Sequence, residues 1–139
     1  MMRQAQQTLV IDTPGRGFTD ITERVAGFVR REGATTGLLT LFCQHTSASL
    51  VIQENADPAV LRDLMDWLER IAPEAGHYAH DDEGPDDMPA HLRSVMTQTH
   101  LSIPTSGGRP ALGVWQAIYL IEHRRQPHRR NIILHHIGM

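Results

Sequence analysis

One segment of the chain carries most of the side chains that could bind a metal ion or exchange protons. Three histidines lie between residues 77 and 91, and five carboxylates lie between residues 81 and 87. Carboxylates this close together repel one another unless a divalent cation or several arginines lie among them. Imidazole combined with carboxylate suits zinc, manganese or iron, whereas carboxylate alone suits magnesium. The segment therefore predicts a divalent-cation site or an acid–base cluster, built from His77, His80, Asp81, Asp82, Glu83, Asp86, Asp87 and His91.

The same segment has a simpler interpretation. It could be a solvated acidic loop that turns at Gly84-Pro85 and in which Asp87 caps the following helix. The spacing of its histidines and carboxylates matches no metal fingerprint as specific as a Cys-x-x-Cys pair. Three histidines in so short a stretch nevertheless favour a site over a plain surface loop.

A second polar cluster begins where a predicted buried strand ends. His45 is followed by Thr46 and Ser47, so an imidazole and two hydroxyls lie at the rim of a sheet. A serine nucleophile with a histidine base is one interpretation, but no nucleophile-elbow pattern surrounds Ser47. A satisfied core histidine at a strand end is the alternative. Further along, Asp57 before Pro58 predicts a helix N-cap, and that helix N-terminus could also favour a phosphate.

The composition excludes several classes of function. All thirteen basic residues are arginines, so a lysine Schiff base with pyridoxal phosphate and the lysine of a P-loop are both excluded. The formal net charge of −3 weighs against a nucleic-acid partner. No apolar run approaches the ~20 residues that cross a bilayer, so we expect no membrane partner. The single cysteine, Cys43, suggests a cytoplasmic protein whose thiol packs in the core.

Hydrophobic periodicity predicts one α+β domain over residues 1–139, long enough to bury its own core. Antiparallel or mixed sheets would pack as a β-sandwich with about three helices, in a strand order that the pattern does not determine. The expected strands are 3–12, 38–44, 48–53, 111–122 and 131–137, and the expected helices are 20–33, 57–73 and 88–98.

The predicted strand 111–122 carries polar residues on a face that is otherwise apolar. These are Gln116 and Glu122, and a buried glutamate needs a partner. The partner could be an arginine of the polar turn 123–130 that follows. The basic residues of that turn could instead bind phosphate or nucleic acid, although a solvated hairpin tip is the simpler interpretation. Trp115 could fill the core or stack on an aromatic ligand.

Five segments together resemble the YjbQ family: residues 45–50, 54–58, 83–91, 101–104 and 113–119. They occur in one register and cover essentially the whole chain. The family is described as secondary thiamine-phosphate synthase. The resemblance implies a compact α+β domain of β-sandwich type, assembled as a homotrimer with a polar pocket at or near the subunit contact.

The resemblance also implies a reaction and the residues that serve it. A pyrimidine-methyl diphosphate would be joined to a thiazole phosphate, and a divalent cation, magnesium or zinc, would neutralise the departing diphosphate. Val114 departs from the family, which usually has threonine there, so ligand contacts could differ. The expected groups are catalytic His45, Asp57, Asp87, His91 and Glu122; substrate-binding Thr46, Ser47, Asn55, Trp115 and Gln116; and metal-binding His45, His80, Asp86, Asp87 and His91.

Two other functions are compatible with the same residues. One is a metal-dependent hydrolase of another phosphorylated metabolite, and the other is a non-catalytic trimer that binds a metal or metabolite. In each case we expect His45 and His91 to converge, with one or two of Asp57, Asp86 and Asp87, on a metal ion or a phosphate.

Overall fold

Two antiparallel sheets face each other across an apolar core in the computed structural model, which describes residues 1–139. The larger sheet has the strand order β1-β8-β3-β5-β6 and the smaller has the order β2-β7-β4. The elements are β1 (Arg3–Asp12), β2 (Gly17–Asp20), α1 (Thr22–Glu32), β3 (Gly37–Cys43), β4 (Ala48–Glu54), α2 (Pro58–Ile71), α3 (Asp87–Met96), β5 (His100–Ser106), β6 (Arg109–Pro110), β7 (Gln116–Glu122) and β8 (Arg129–Gly138). The predicted α+β sandwich with three helices is confirmed.

Alternating side chains of both sheets fill the space between them. Leu39 and Leu41 of β3 point inward, and Ile118 and Leu120 of β7 meet them from the smaller sheet. All four are fully buried, and each such side chain contributes roughly 1.5–3 kcal/mol by leaving water. Cys43 lies in the same core, 1% exposed, as expected for a packed thiol.

The outer face of the larger sheet also carries apolar side chains. Leu38 and Phe42 of β3 lie opposite Ile137 and Ile133 of β8 in the ladder. Leu38 is 48% exposed, Phe42 46% and Ile137 42%, so no other part of the chain covers this face. We call these four residues the outer apolar patch. The two apolar pairs flank Thr40 and His135 on the same face, and grouped exposed apolar side chains mark an interaction site more often than scattered single residues do.

Local signals in the sequence set the ends of the helices. The Asp57 side chain accepts the N–H of Ala59 at 2.9 Å, with Pro58 in the first helical position, as predicted for α2. Asp20 accepts the N–H of Thr22 at 2.9 Å, so α1 begins two residues after the predicted start. Gly33 ends α1 in the left-handed conformation, with φ of 85°.

The predicted strand 111–122 is wrong over its first five residues. β7 begins at Gln116 because β4, its partner, ends opposite that residue at Glu54. Before this point the backbone turns, and the N–H of Gln116 donates to the Gly113 carbonyl at 3.1 Å. Trp115 is consequently 61% exposed and does not fill the core.

Three strands were absent from the prediction or shorter in it, and one of them, β6, consists of only two residues in a region predicted as a turn. β2 spans only four residues, pairs along β7 and shows no alternation that could identify it. β5 extends over seven residues, whereas the sequence showed only a brief alternation at 101–103. No helix of the chain has the length and apolar character needed to cross a membrane.

Candidate functional site

Asp87 is the centre of the cluster that the acidic segment forms. Its Oδ2 atom lies 2.8 Å from Nε2 of His80 and 3.3 Å from Nε2 of His91. Asp87 and His91 are one turn apart on α3, as their four-residue spacing predicted, and His80 reaches them from the preceding loop. The three ligand atoms all lie within 4.8 Å of one another. We call His80, Asp87 and His91 the triad.

One member of the triad is buried in the fold, and the other two are partly exposed to solvent. The Asp87 side chain is 6% exposed, whereas those of His80 and His91 are 41% and 33% exposed. The two imidazole rings meet edge to face with their centroids 5.5 Å apart. A ligand could therefore approach both imidazoles without displacing any core residue.

Two further carboxylates from the loop surround His80. Glu83 Oε2 lies 3.0 Å from its Nε2 atom, and Asp82 Oδ1 lies 3.6 Å from its Nδ1 atom. Both carboxylates are well exposed, so they could also reach a cation held at His80. The hydrogen bond to Asp87 is the main reason why the pKa of His80 is raised, since these charges favour the imidazolium.

Arg124 fixes the carboxylates from behind. Its Nε donates to Asp86 Oδ2 at 3.0 Å, one terminal nitrogen donates to Asp87 Oδ1 at 2.9 Å, and the other donates to the Glu83 carbonyl at 2.9 Å. The Arg125 N–H also donates to Asp86 Oδ2 at 2.9 Å. Holding Oδ1 of Asp87 leaves its Oδ2 directed at the two histidines.

These contacts keep the two aspartates ionised. Burial acts to raise the pKa of both, but hydrogen bonds outweigh it, from Arg124 and the Arg125 N–H at Asp86 and from His80 at Asp87. The pKa of each carboxyl consequently lies below its usual range. Asp87 is thus an anion whose Oδ1 is held by Arg124 and whose Oδ2 contacts the two imidazoles, so a metal ion bound by His80 and His91 would meet an ionised oxygen.

A cavity adjoins the triad on the side of His80. It has a volume of about 380 Å³ and is lined by the loop 74–88, with His77, Tyr78, His80 and Met88 among its walls. This volume is in the range of small-molecule sites. The loop interpreted as either a site or a plain surface therefore forms a pocket beside possible metal ligands.

The second polar cluster lies where β7 and β8 meet. Glu122 is fully buried, and its carboxylate accepts hydrogen bonds from Thr13, from the Arg124 N–H and from two nitrogens of Arg130. The partner suggested from the sequence, an arginine of the following turn, is confirmed. Arg130 also donates to the Ser47 hydroxyl at 2.9 Å. All of these groups are engaged with one another.

His45 lies at the rim of this second cluster. Its Nε2 atom accepts the N–H of Asn131 at 2.8 Å, which places the ring proton of the neutral form on Nδ1. Burial, followed by the charge of Arg130, lowers the pKa of His45. The ring is therefore neutral at pH 7 and can donate through Nδ1. It is not among the grouped ligand atoms of the triad.

The remaining predicted residues gather at the opposite end of the smaller sheet. Asn55 donates its N–H to the Trp115 carbonyl at 3.1 Å, and Gln116 accepts the N–H of Gly113 at 2.7 Å. This end is one β4 length, about 20 Å at roughly 3.3 Å per residue, from the end at Ser47. We call Asn55, Asp57, Trp115 and Gln116 the distal group. Thr46, beside Ser47, is exposed.

Arginines are one of the two kinds of cation expected among the carboxylates, but the sequence does not identify Arg124 as the counter-ion of the acidic segment. The sequence interprets the turn 123–130 as a solvated tip, as a phosphate or nucleic-acid site, or as the source of a partner for Glu122. An excess of carboxylates in one loop and of arginines in another was the available signal, but only the fold shows which arginine meets which carboxylate.

Comparison with known proteins places this geometry in a family. Residues 7–139 match the model described as UPF0047 protein YjbQ-like. UPF0047 protein sll1880 of Synechocystis is 49% identical over 137 residues, covering 98% of this chain and 93% of the relative. UPF0047 protein YjbQ of Escherichia coli O157:H7 is 43% identical over 92% of this chain and 94% of the relative. The crystal structure of a YbjQ-like protein from Sulfolobus solfataricus has the same fold, with a TM-score of 0.92, 21% identity and full coverage of both chains. The chain belongs to the YjbQ-like UPF0047 family.

Proposed function

We propose that this protein is a metal-dependent enzyme of the secondary thiamine-phosphate synthase type. It would join a pyrimidine-methyl diphosphate to a thiazole phosphate and release diphosphate. The observation that carries the metal dependence is the convergence of three ligand atoms from His80, Asp87 and His91 within 4.8 Å. The choice of reaction comes from the family resemblance described above.

The donor set narrows the choice of metal. Two imidazoles and one carboxylate suit zinc, manganese or iron(II) better than magnesium, which prefers oxygen ligands and retained water. Three protein ligands with a solvent-facing side also correspond to a catalytic rather than a closed structural site. A bound metal would supply positive charge to neutralise a departing diphosphate.

The protein's own groups would position and orient the reactants. Arg124 is saturated by Asp86, Asp87 and the Glu83 carbonyl, so it holds the metal ligands in place and does not bind the substrate phosphates. The cavity beside His80 would accommodate the organic part of a substrate. His45, neutral with a free N–H, would serve as a hydrogen-bond donor to a phosphate oxygen.

We further propose that the chain assembles as a homotrimer, as the resemblance implies. The outer apolar patch is not covered within one chain, so a second copy would remove it from water. The distal group lies too far from His45 to share a site with it inside one chain. A neighbouring copy could bring the distal group to the triad. A site shared between copies would explain why residues of both groups belong to the segments that resemble the family.

The test is an assay of product formation by mass spectrometry with both phosphorylated substrates. We expect the metal-loaded protein to form thiamine phosphate, and expect chelator treatment or His91→Ala to reduce the rate at least about 100-fold. His100→Ala, at an exposed histidine outside the cluster, is the matched control and should retain the rate.

Three other outcomes would replace the proposal. Release of phosphate from one substrate without a joined product would indicate the hydrolase. Metal binding without any turnover would indicate the non-catalytic binding protein. Equal rates in wild type and His91→Ala would show that the triad takes no part in the reaction.

A further inference from the structure

Arg93 is a buried cation without a counter-ion. Its side chain belongs to α3 and is 1% exposed. One terminal nitrogen donates to the Ala72 carbonyl at 3.1 Å, but Nε and the other terminal nitrogen have no hydrogen-bond partner. A guanidinium stays protonated at any physiological pH, so the fold encloses a full positive charge here.

The other buried aspartates, glutamates and arginines are all paired. Asp86 and Asp87 share Arg124, and Glu122 is held by Arg130. An uncompensated buried charge is strongly destabilising, because neither water nor an opposite charge replaces its hydration. A chain that pairs every other buried charge but leaves Arg93 alone suggests that its counter-ion comes from outside the chain.

A cavity of about 310 Å³ lies against this arginine. It is lined by the end of α2 and the following turn, with Arg16 and Arg93 as its cationic walls and Glu69 and Glu74 as its anionic ones. Glu74 is shared between two arginines, since it pairs with Arg16 at 2.7 Å and also with Arg125, so its single charge neutralises Arg16 only in part. Glu69 is exposed and forms neither a hydrogen bond nor an ion pair with Arg93, and its charge acts on Arg93 only across the cavity.

We propose that this cavity binds a small oxyanion, either inorganic phosphate or the phosphoryl group of a metabolite, between Arg16 and Arg93. The two unpartnered nitrogens are shielded from solvent. The anion therefore contacts Arg16 directly. It interacts with the charge of Arg93 across the low-dielectric wall of the cavity, or contacts Arg93 after the guanidinium rotates. None of the triad residues lines this site, although Glu74 also lines the cavity beside His80, and the site does not depend on the proposed reaction.

A second feature of the same region supports an added charge. His123 lies on the β7 side of Arg93, and its Nδ1 atom is also buried without a partner. Its Nε2 atom shares a 2.8 Å hydrogen bond with the Ser49 hydroxyl. An imidazole is either neutral or positively charged, so His123 cannot supply the missing anion. Arg16 donates to the His123 carbonyl at 3.4 Å. Both arginines of the cavity therefore lie near His123, and their like charges do not neutralise each other.

The competing explanation is that Glu69 swings inward and pairs with Arg93. The two explanations predict opposite effects of Glu69→Gln. If Glu69 is the partner, this variant lowers stability. If an external anion is the partner, removing a negative wall strengthens anion binding.

The test is calorimetric titration of the chelator-treated protein with inorganic phosphate in a buffer free of other oxyanions. Chelation removes any metal from the triad, so phosphate bound there by a metal does not contribute. We expect one site per chain, at least about tenfold weaker binding in Arg93→Met, and stronger binding in Glu69→Gln. His91→Ala is the control that should bind phosphate as the wild type does.

Phenyl phosphate distinguishes the two sources of the anion. Binding of both ligands would mean that the cavity admits a phosphoryl group on a larger molecule, whereas binding of phosphate alone would mean a free anion. Absence of phosphate binding by the wild type would overturn the proposal, and so would a Glu69→Gln variant that is destabilised without binding more tightly. The Glu69→Gln arm keeps the test valid even if Arg93→Met does not fold.

Discussion

Arg124 donates to Oδ1 of Asp87 at 2.9 Å and thereby leaves Oδ2 facing the two imidazoles. The two residues come from different parts of the chain, one from the start of α3 and the other from the turn after β7. The contact joins the polar clusters, because the Arg124 N–H donates to Glu122 while its side chain holds Asp86 and Asp87. Three predictions concern this region, and a fourth concerns assembly.

Replacing Arg124 should destabilise the acidic segment. In Arg124→Gln, Asp86 and Asp87 would lose their shared cation, and we expect the free energy of unfolding in urea to fall by about 1–3 kcal/mol. Arg129→Gln is the matched control, since Arg129 pairs with Asp12 in a contact where both side chains are mostly exposed. That change should cost less than about 1 kcal/mol. Equal losses in both variants would contradict the role assigned to Arg124.

Breaking the buried pair at Glu122 should cost more. Arg130→Met would leave the Glu122 carboxylate buried with only Thr13 and a backbone N–H as donors. We expect a loss of about 3–5 kcal/mol in the free energy of unfolding. Adding Glu122→Gln to that variant should recover part of the loss, since the uncompensated charge disappears. A double variant less stable than the sum of the single changes would show that the charge is not the cause.

His123 should make stability depend on pH in a known direction. Burial, with the charge of Arg93 second, lowers the pKa of His123 to about 3. The unfolded chain takes up the proton near ~6.5, so between these values the unfolded state binds more protons than the folded state. The stability contribution is therefore complete above pH 6.5 and is lost as the pH falls.

The variant His123→Gln isolates this effect, because glutamine does not titrate. We expect the free energy of unfolding of the wild type, relative to this variant, to fall by up to about 1.4 kcal/mol per pH unit below pH 6. Urea titrations at pH 7, 6 and 5 measure the difference. Parallel curves for the two proteins would mean that His123 is protonated in the folded chain.

A charge in the outer apolar patch should prevent assembly. Phe42→Glu would place a carboxylate on the face that a neighbouring copy would cover in the proposed trimer, and we expect the mass measured by sedimentation to fall from trimer to monomer. Arg30→Glu is the control, because Arg30 is exposed on α1, which contributes no residue to the patch, the triad or the distal group. A wild type that sediments as a monomer, or a Phe42→Glu variant that remains trimeric, would contradict the proposed contact.

The parts of the fold that local signals determine were predictable from the sequence. Asp57-Pro58 located the start of α2, alternation located β1 and β4, and an apolar run located β3, each within one or two residues. The pairing partner of each strand was not predictable. The prediction for 111–115 failed for that reason, since its alternation resembles a strand but β4 ends before it could pair.

The candidate site was likewise predictable only where local sequence signals determined it. The helical spacing of Asp87 and His91 was enough to place them together, and Glu122 needed a cation because its face was apolar. The unpartnered state of Arg93 could not be foreseen, because its helical position is compatible with either a core or a surface role until the packing of α2 is known. The separation of the distal group from His45 likewise depends on which ends of β4 and β7 meet.

Elemental analysis of the protein purified without chelator tests the central claim most directly. We predict about one zinc, manganese or iron per chain in the wild type and in His100→Ala, and none in His91→Ala, because one of three protein ligands is lost. Circular dichroism of each variant confirms that its fold is retained. A wild type that holds none of these metals, or a His91→Ala variant that holds as much as the wild type, would contradict a metal site at the triad.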